Sequence, residues 1–208
     1  MATPANERTA EAVQVKESTK VEETVKRPEP RRADDLFDWD ILSKLDYGEL
    51  KASPKLLENG SLTLRPLNRA DYKHDYLGLL AQLTGVGEIS EEQFGRQFDR
   101  MRGCPDTYYI IVIEDRSRSR IVGSATLHVE FKFIHQTSLR GRIEDVVVDD
   151  GYRGQQLGKL LLETVKLLAK HVGCYKLSLD CKDSMIKYYN SLQFVCEPGN
   201  SNMMTIRF

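Results

Sequence analysis

Residues 144–161, EDVVVDDGYRGQQLGKLL, set a β-branched run (Val146 to Val148) before a polar turn with Gly154, and then a leucine-rich run that begins around Gly158. This reads as a buried strand, a short turn and a helix. Such a turn aims backbone N–H groups and the positive end of a helix dipole at one spot, which suits an anion. Arg153 and Lys159 flank the spot and can add charge-assisted contacts to a pyrophosphate. On the turn alone, a plain strand-to-helix connection with glycines for tight packing explains the pattern equally well. There is no GxxxxGK[ST] and no GxGxxG after a first strand, which disfavours a P-loop ATPase or kinase and a Rossmann dehydrogenase.

Working outward, Gly158 to Val172 carries Leu160, Leu161, Leu162, Val165, Leu168 and Ala169 at helical spacing and stops at Gly173. Tyr175 to Cys181 follows as a strand, Ser184 to Leu192 as a last helix, and Met203 to Phe208 as a terminal strand. Upstream, three β-like runs cover Tyr108 to Glu114, Ile121 to Phe133 and Gly141 to Val148. In the middle run Leu127, Val129, Phe131 and Phe133 alternate on one face. Ser61 to Pro66 reads as a first strand and Arg69 to Leu83 as a helix. Ser90 opens a second helix through Arg102, with Gln93 at the capping-box position. The order β-α-α-β-β-β-α-β-α-β indicates an α/β (α+β) domain with a mixed central sheet flanked by helices.

The 208 residues accommodate one domain and a tail. Residues 1–34 lack aromatics and read as a disordered tail. Residues 35–55, with Leu36, Phe37, Trp39 and Leu42, read as a linker or docking segment, and 56–208 as the folded domain. A net charge of −1 gives no reason to expect nucleic acid. No stretch approaches the roughly 18 apolar residues of a membrane span, and no secretory core is present, so a cytoplasmic protein is expected. Cys104, Cys174, Cys181 and Cys196 have no zinc-site spacing and are expected to be reduced and mostly buried; no metal is implied.

The run from Val146 through Arg153 to Gly158 resembles the acetyl-CoA signature [Gln/Arg]-x-x-Gly-x-[Gly/Ala] of the GNAT N-acetyltransferases, with Gln156 standing where the motif has its first glycine. A Gln there, in a helical or bridge conformation, would still present its N–H. Around it, FKFIH, RGRIEDVVV, YRGQQLGKLLL and GCYKLSLDC, with LRPL at 64–67 and QLT at 82–84, are similar to the eukaryotic glucosamine 6-phosphate N-acetyltransferases over about residues 60–208. The resemblance implies a GNAT fold, acetyl-CoA as co-substrate, a sugar-phosphate acceptor and a homodimer.

It also implies roles. Val146, Val148, Arg153, Gly154, Gln155, Gln156, Leu157, Gly158, Lys159, Tyr189, Asn190 and Ser191 would hold the cofactor. Glu144, Asp145 and Val146 would meet the acceptor amine, with Glu144 and Asp145 orienting it. Lys132, Phe133, Ile134 and His135 match the sugar-phosphate segment, Lys132 ranking above His135. Tyr175 and Lys176 match a substrate-lining pair, and Arg207 an arginine that reaches the neighbouring subunit's site. Tyr189, rather than Tyr188, would serve the departing thiolate. Met185 and Gln193 depart from the common Asn and Gly. Cys181 has no readable base partner as a nucleophile. A same-fold acetyltransferase for a polyamine or protein N-terminus, and a non-catalytic acyl-CoA module using Phe37 and Trp39 to recruit a partner, are the competing readings.

Overall fold

A computed structural model describes residues 34–48, 57, 60–196, 199 and 204–206. Among these residues, five strands form one sheet in the order β1 (Leu62–Pro66), β2 (Tyr108–Asp115), β3 (Arg120–Phe131), β4 (Leu139–Val148) and β5 (Cys174–Ser178). The first four run antiparallel to their neighbours, and β5 lies parallel to β4. The sheet is therefore mixed. The parallel step is made by the helix Leu157–His171, a crossover of the length such a connection needs.

Alternation along β2 sends Ile111 and Ile113 to one face and Ile110 and Val112 to the other. Against the first face packs the helix Leu157–His171, through Leu160, Leu161, Val165 and Leu168, none of them exposed. The second face is covered by the helices Tyr76–Ala81 and Glu91–Arg102, through Leu79, Phe94 and Phe98. The second of these opens on the expected capping box, Ser90 and Gln93 each bonding the other's backbone N–H. The long helix ends at Val172, with Gly173 at φ 88°.

Residues 34–48 lie on the body of the domain. Leu36 N–H bonds Leu67 O at 2.8 Å, Leu42 and Leu45 are buried, and the Phe37 ring meets Tyr109 edge-on at 5.1 Å. Phe37 is thus used in packing rather than held out for a partner. Residues 1–33, which carry nearly all of the expected tail, and 49–56 lie outside the described residues.

Several expected elements differ. The helix over 69–83 is a 3-10 turn, Arg69–His74, and a separate helix, Tyr76–Ala81, because Asp75 is left-handed (φ 61°). Phe131 and Phe133 are exposed while Leu127 and Val129 are buried, since the ladder closes at Phe131↔Leu139 and Phe133 is already in the turn. β5 stops at Ser178, and the last helical segment is a 3-10 turn, Asp183–Met185, followed by Ile186–Asn190. Met204 to Ile206 belong to no strand, with Met204 and Ile206 exposed. Cys104, Cys181 and Cys196 are exposed and only Cys174 is half-buried, correcting the expectation of buried thiols; the three exposed ones sit in connections rather than on the core faces. Among the described residues no helix is long and apolar enough to cross a membrane.

Candidate active site

The site is built where β4 leaves β5. Pairing ends at Arg142↔Ser178, yet β4 continues to Val148, so the backbone of residues 143–148 has no ladder partner in β5. On its other side β4 carries a bulge: Thr126 faces Glu144 and Ser124 faces Val147, so that two residues, Asp145 and Val146, oppose Ala125. Asp145 takes φ 51°, the conformation that absorbs the extra residue. The consequence is a change of face. Ile143 packs with the long helix, whereas Val147, four residues on, packs on the opposite face, and Val146 and Val148 rejoin the first.

Glu144 and Asp145 therefore stand together at the bulge, on the rim of a cavity of about 470 Å³. Its walls are mainly apolar, from Tyr76, Leu80, Phe94 and Phe98 among others. Asp145 is open to solvent on one side; burial on the other, and then the Glu144 charge, raise its pKa. Arg142 pairs with both Glu144 and Asp180, bridging the gap where the strands part. Sequence reasoning missed Arg142, although residues two apart on a strand share a face and Arg142–Glu144 carries that signal.

Beyond β4, Asp149 caps Gly151 N–H, the short turn Asp150–Tyr152 follows, and Gly154 adopts φ 80°. Gln156 is left-handed (φ 61°), neither helical nor bridge-like as expected, and gives the long helix no side-chain cap. The first N–H groups of that helix, at Leu157, Gly158 and Lys159, are thus not taken by a cap side chain. Arg153, Gly154, Gln155 and Gln156 are exposed; Leu157 buries its side chain in the core and can offer only its backbone. Arg153 pairs with Asp150 at 2.5 Å. A β-carbon on Gly158 would stand 3.3 Å from the Tyr188 hydroxyl and 3.7 Å from Val148, which joins the turn, β4 and the last helix in one wall.

Tyr188 and Tyr189 lie 5.3 Å apart, and Tyr189 also meets Phe194 at 6.0 Å. Burial first, and then Cys181, raises the Tyr189 pKa, so the hydroxyl keeps its proton at neutral pH. Asn190 and Ser191 end the same helix, both exposed, with Ser191 Oγ donating to Tyr188 O at 2.6 Å. Gln193 is left-handed (φ 72°), a conformation that favours glycine. The Cys181 thiol is pushed up by desolvation and by Cys196, Asp183 and Asp180, against a nucleophile's needs.

At the far end of β4, His135 and Tyr175 come together with ring centroids 4.6 Å apart. His135, Gln136 and Thr137 are successively left-handed, so Phe133 and Ile134 project into solvent. Lys132 is paired with Glu130, and Lys176 is exposed on β5. Arg207 lies outside the described residues. No group of three or more His, Cys, Asp and Glu that could hold a metal occurs among the described residues.

A strand splayed from its parallel neighbour, facing an uncapped helix start and carrying a carboxylate pair at the bulge, is the arrangement of an acyl-CoA-dependent N-acetyltransferase. The model of the Acetyltransferase (GNAT) family matches residues 71–194. A Drosophila melanogaster protein described as a probable glucosamine 6-phosphate N-acetyltransferase is 49% identical over 179 residues, 83% of this chain and 81% of that one. The Arabidopsis thaliana glucosamine 6-phosphate N-acetyltransferase is 39% identical over 145 residues, 70% of this chain and 95% of its own. A crystal structure of that Arabidopsis enzyme superposes with a TM-score of 0.67 at 34% identity, covering 71% of this chain and 98% of the other. The chain belongs to the GNAT acetyltransferase family, in the branch of the eukaryotic glucosamine 6-phosphate N-acetyltransferases. GNAT enzymes take acetyl-CoA as co-substrate.

Proposed function

We propose that this protein transfers the acetyl group of acetyl-CoA to the amine of glucosamine 6-phosphate, the acetylation step toward UDP-N-acetylglucosamine, and acts in the cytoplasm as a homodimer. The observation that carries the reading is the splay of β4 from β5 after Arg142↔Ser178, with Glu144 and Asp145 on the bulge and the uncapped turn 153–159 beyond it. The turn's N–H groups, with Arg153 and Lys159, hold the pyrophosphate. Within the Val146 to Val148 stretch, the N–H groups on the side that β5 leaves open polarise the thioester carbonyl.

The neutral amine attacks that carbon directly in a ternary complex. The new C–N bond forms, the C–S bond breaks, Glu144 or a nearby water takes the amine proton, and Tyr189 gives its proton to the thiolate. A sugar amine is weakly basic, so no stronger base is needed. Lys132, His135, Tyr175, Lys176 and the neighbouring subunit's copy of Arg207 surround the acceptor's phosphate. The exposed Phe131, Phe133, Ile134 and Tyr175 at that end support coverage by a second copy.

Thiol release from acetyl-CoA, compared among glucosamine 6-phosphate, glucosamine and spermidine, tests the reading. Strong preference for the phosphorylated sugar is expected. Release only with another amine would discard the substrate, and release with none would favour a binding module.

A further inference from the structure

The helix Tyr76–Ala81 supplies Tyr76, Leu77 and Leu80 to the cavity wall, and the residue that caps its C-terminus, Gln82, reaches the start of the turn. Gln82 Nε2 donates to Asp149 Oδ2 at 2.9 Å, and Gln82 Oε1 accepts from the Asp150 N–H at 3.0 Å. One amide thus grips two successive residues, side chain and backbone. Asp149 Oδ1 accepts from the Gly151 N–H at 2.9 Å, which shapes the turn's next step. Arg120, from β3, joins Asp149 at 3.0 Å and Asp75, at the other end of the same helix, at 2.9 Å. Burial works to raise the Asp149 pKa, but Gln82, the Gly151 N–H, Arg120 and Arg153 outweigh it and hold the carboxyl below its ordinary value.

We propose that Gln82 is a positioning residue for the cofactor turn: its amide fixes Asp149 and Asp150, and through them the aim of the N–H groups at 154–158, tying the grip on acetyl-CoA to the helix that walls the acceptor cavity. The inference rests on the turn being the pyrophosphate site. Neither residue's signal is local, since Gln82 and Asp149 stand 67 positions apart. Gln82 touches no reacting atom, so its loss alters cofactor affinity rather than the chemical step.

Two variants of the full chain test this. Gln82→Leu, which keeps bulk and removes both bonds, is expected to weaken acetyl-CoA binding by calorimetry about tenfold, with kcat at saturation within about twofold. In Gln82→Glu, the introduced carboxylate faces Asp149, Asp150 and Asp75, with Arg120 and Arg153 as the opposing cations. At about pH 8 it binds acetyl-CoA no better than the leucine variant. Lowering the pH to about 6 begins to protonate a carboxyl whose pKa the Asp149 carboxylate, at hydrogen-bond distance and already paired with Arg120, raises, restoring an O–H donor beside a carbonyl acceptor. Affinity then recovers toward wild type, while the leucine variant stays weak. A loss of fold would lower both variants' affinity and melting temperature without that recovery, and would overturn the proposal.

Unchanged affinity in Gln82→Leu also overturns it, provided that the Gly154 and Gly158 amide resonances of the wild type move on adding CoA. If those amides do not move, the reading of the turn itself falls.

Discussion

The turn proposed to hold the pyrophosphate is tethered on a second side by Tyr152, and replacing it with Phe isolates that tether. Tyr152 is 9% exposed; its hydroxyl donates to Asp115 Oδ2 at 2.6 Å and accepts from Arg118 at 3.2 Å. A hydrogen bond to a buried charged group is worth about 1.5–3 kcal/mol. Asp115 keeps Ser61 Oγ and both the N–H and hydroxyl of Ser117, so no charge is stranded and the lower end applies. Tyr152→Phe should therefore cost about 1.5 kcal/mol in urea unfolding, followed through the single tryptophan, Trp39. The pH dependence has a definite sign. Ser117, Tyr152 and Ser61 hold the Asp115 carboxyl well below the usual carboxylate range. Such a group contributes its stability above the unfolded value of about 4 and loses it as pH falls toward the folded value. The unfolded state is common to both proteins, so the deficit should be full at neutral pH and still full near pH 4, shrinking only as pH approaches the depressed folded value. Weakening of acetyl-CoA binding should stay within about tenfold, because the tether's whole energy bounds what its loss can transmit. A deficit under about 0.5 kcal/mol at neutral pH, or one already lost at about pH 4, would refute the reasoning.

Arg65 is fully buried, with Nε on Glu114 and both terminal nitrogens on Asp71 at 2.7–2.8 Å; Arg65→Met should cost about 3–5 kcal/mol by removing the buried cation between two carboxylates, and adding Asp71→Asn and Glu114→Gln should restore part of it in the same urea assay. Tyr189→Phe should lower kcat by about a hundredfold while Tyr188→Phe changes it little; equal losses would mean that the leaving-group role is not confined to Tyr189. Arg207→Ala should raise the KM for glucosamine 6-phosphate and spare that for acetyl-CoA, and an unchanged sugar KM would remove the residue from the site.

The strand–turn–helix of 144–171 and the capping box at Ser90 were legible because each is written in neighbours: β-branched runs, glycine, periodic leucines, a hydroxyl three residues before a glutamine. What the sequence did not disclose depends on partners distant in the chain. The break at Asp75 is set where Arg120 engages its carboxylate from β3, and the Gln82 grip spans two elements. The reading of 127, 129, 131 and 133 as one buried face failed at the place where the ladder ends, since alternation predicts a face but not how far the neighbouring layer extends over it. Gln156 and Gln193 looked like departures from a glycine pattern; both adopt the left-handed backbone that glycine takes most readily. Holding a non-glycine residue there costs on the order of 1 kcal/mol, a cost that local sequence signals do not show.

The bulge at Asp145 is the event from which the rest of the site follows. A regular β4 would set 143, 145 and 147 on one face and would place the Asp145 side chain beside Ile143, in the core under the long helix. One inserted residue instead turns Asp145 out to the cavity rim, sends Val147 to pack with Leu79 and Phe94, and returns Val146 and Val148 to the long helix's side. It lies three residues past the last β4–β5 pair, Arg142↔Ser178, so the change of face and the parting of the strands fall in the same short stretch. The unpaired backbone and the carboxylates are thereby delivered to one place by a single local irregularity. Arg142, held between Glu144 and Asp180, spans the resulting gap with charge where the ladder no longer does so with hydrogen bonds.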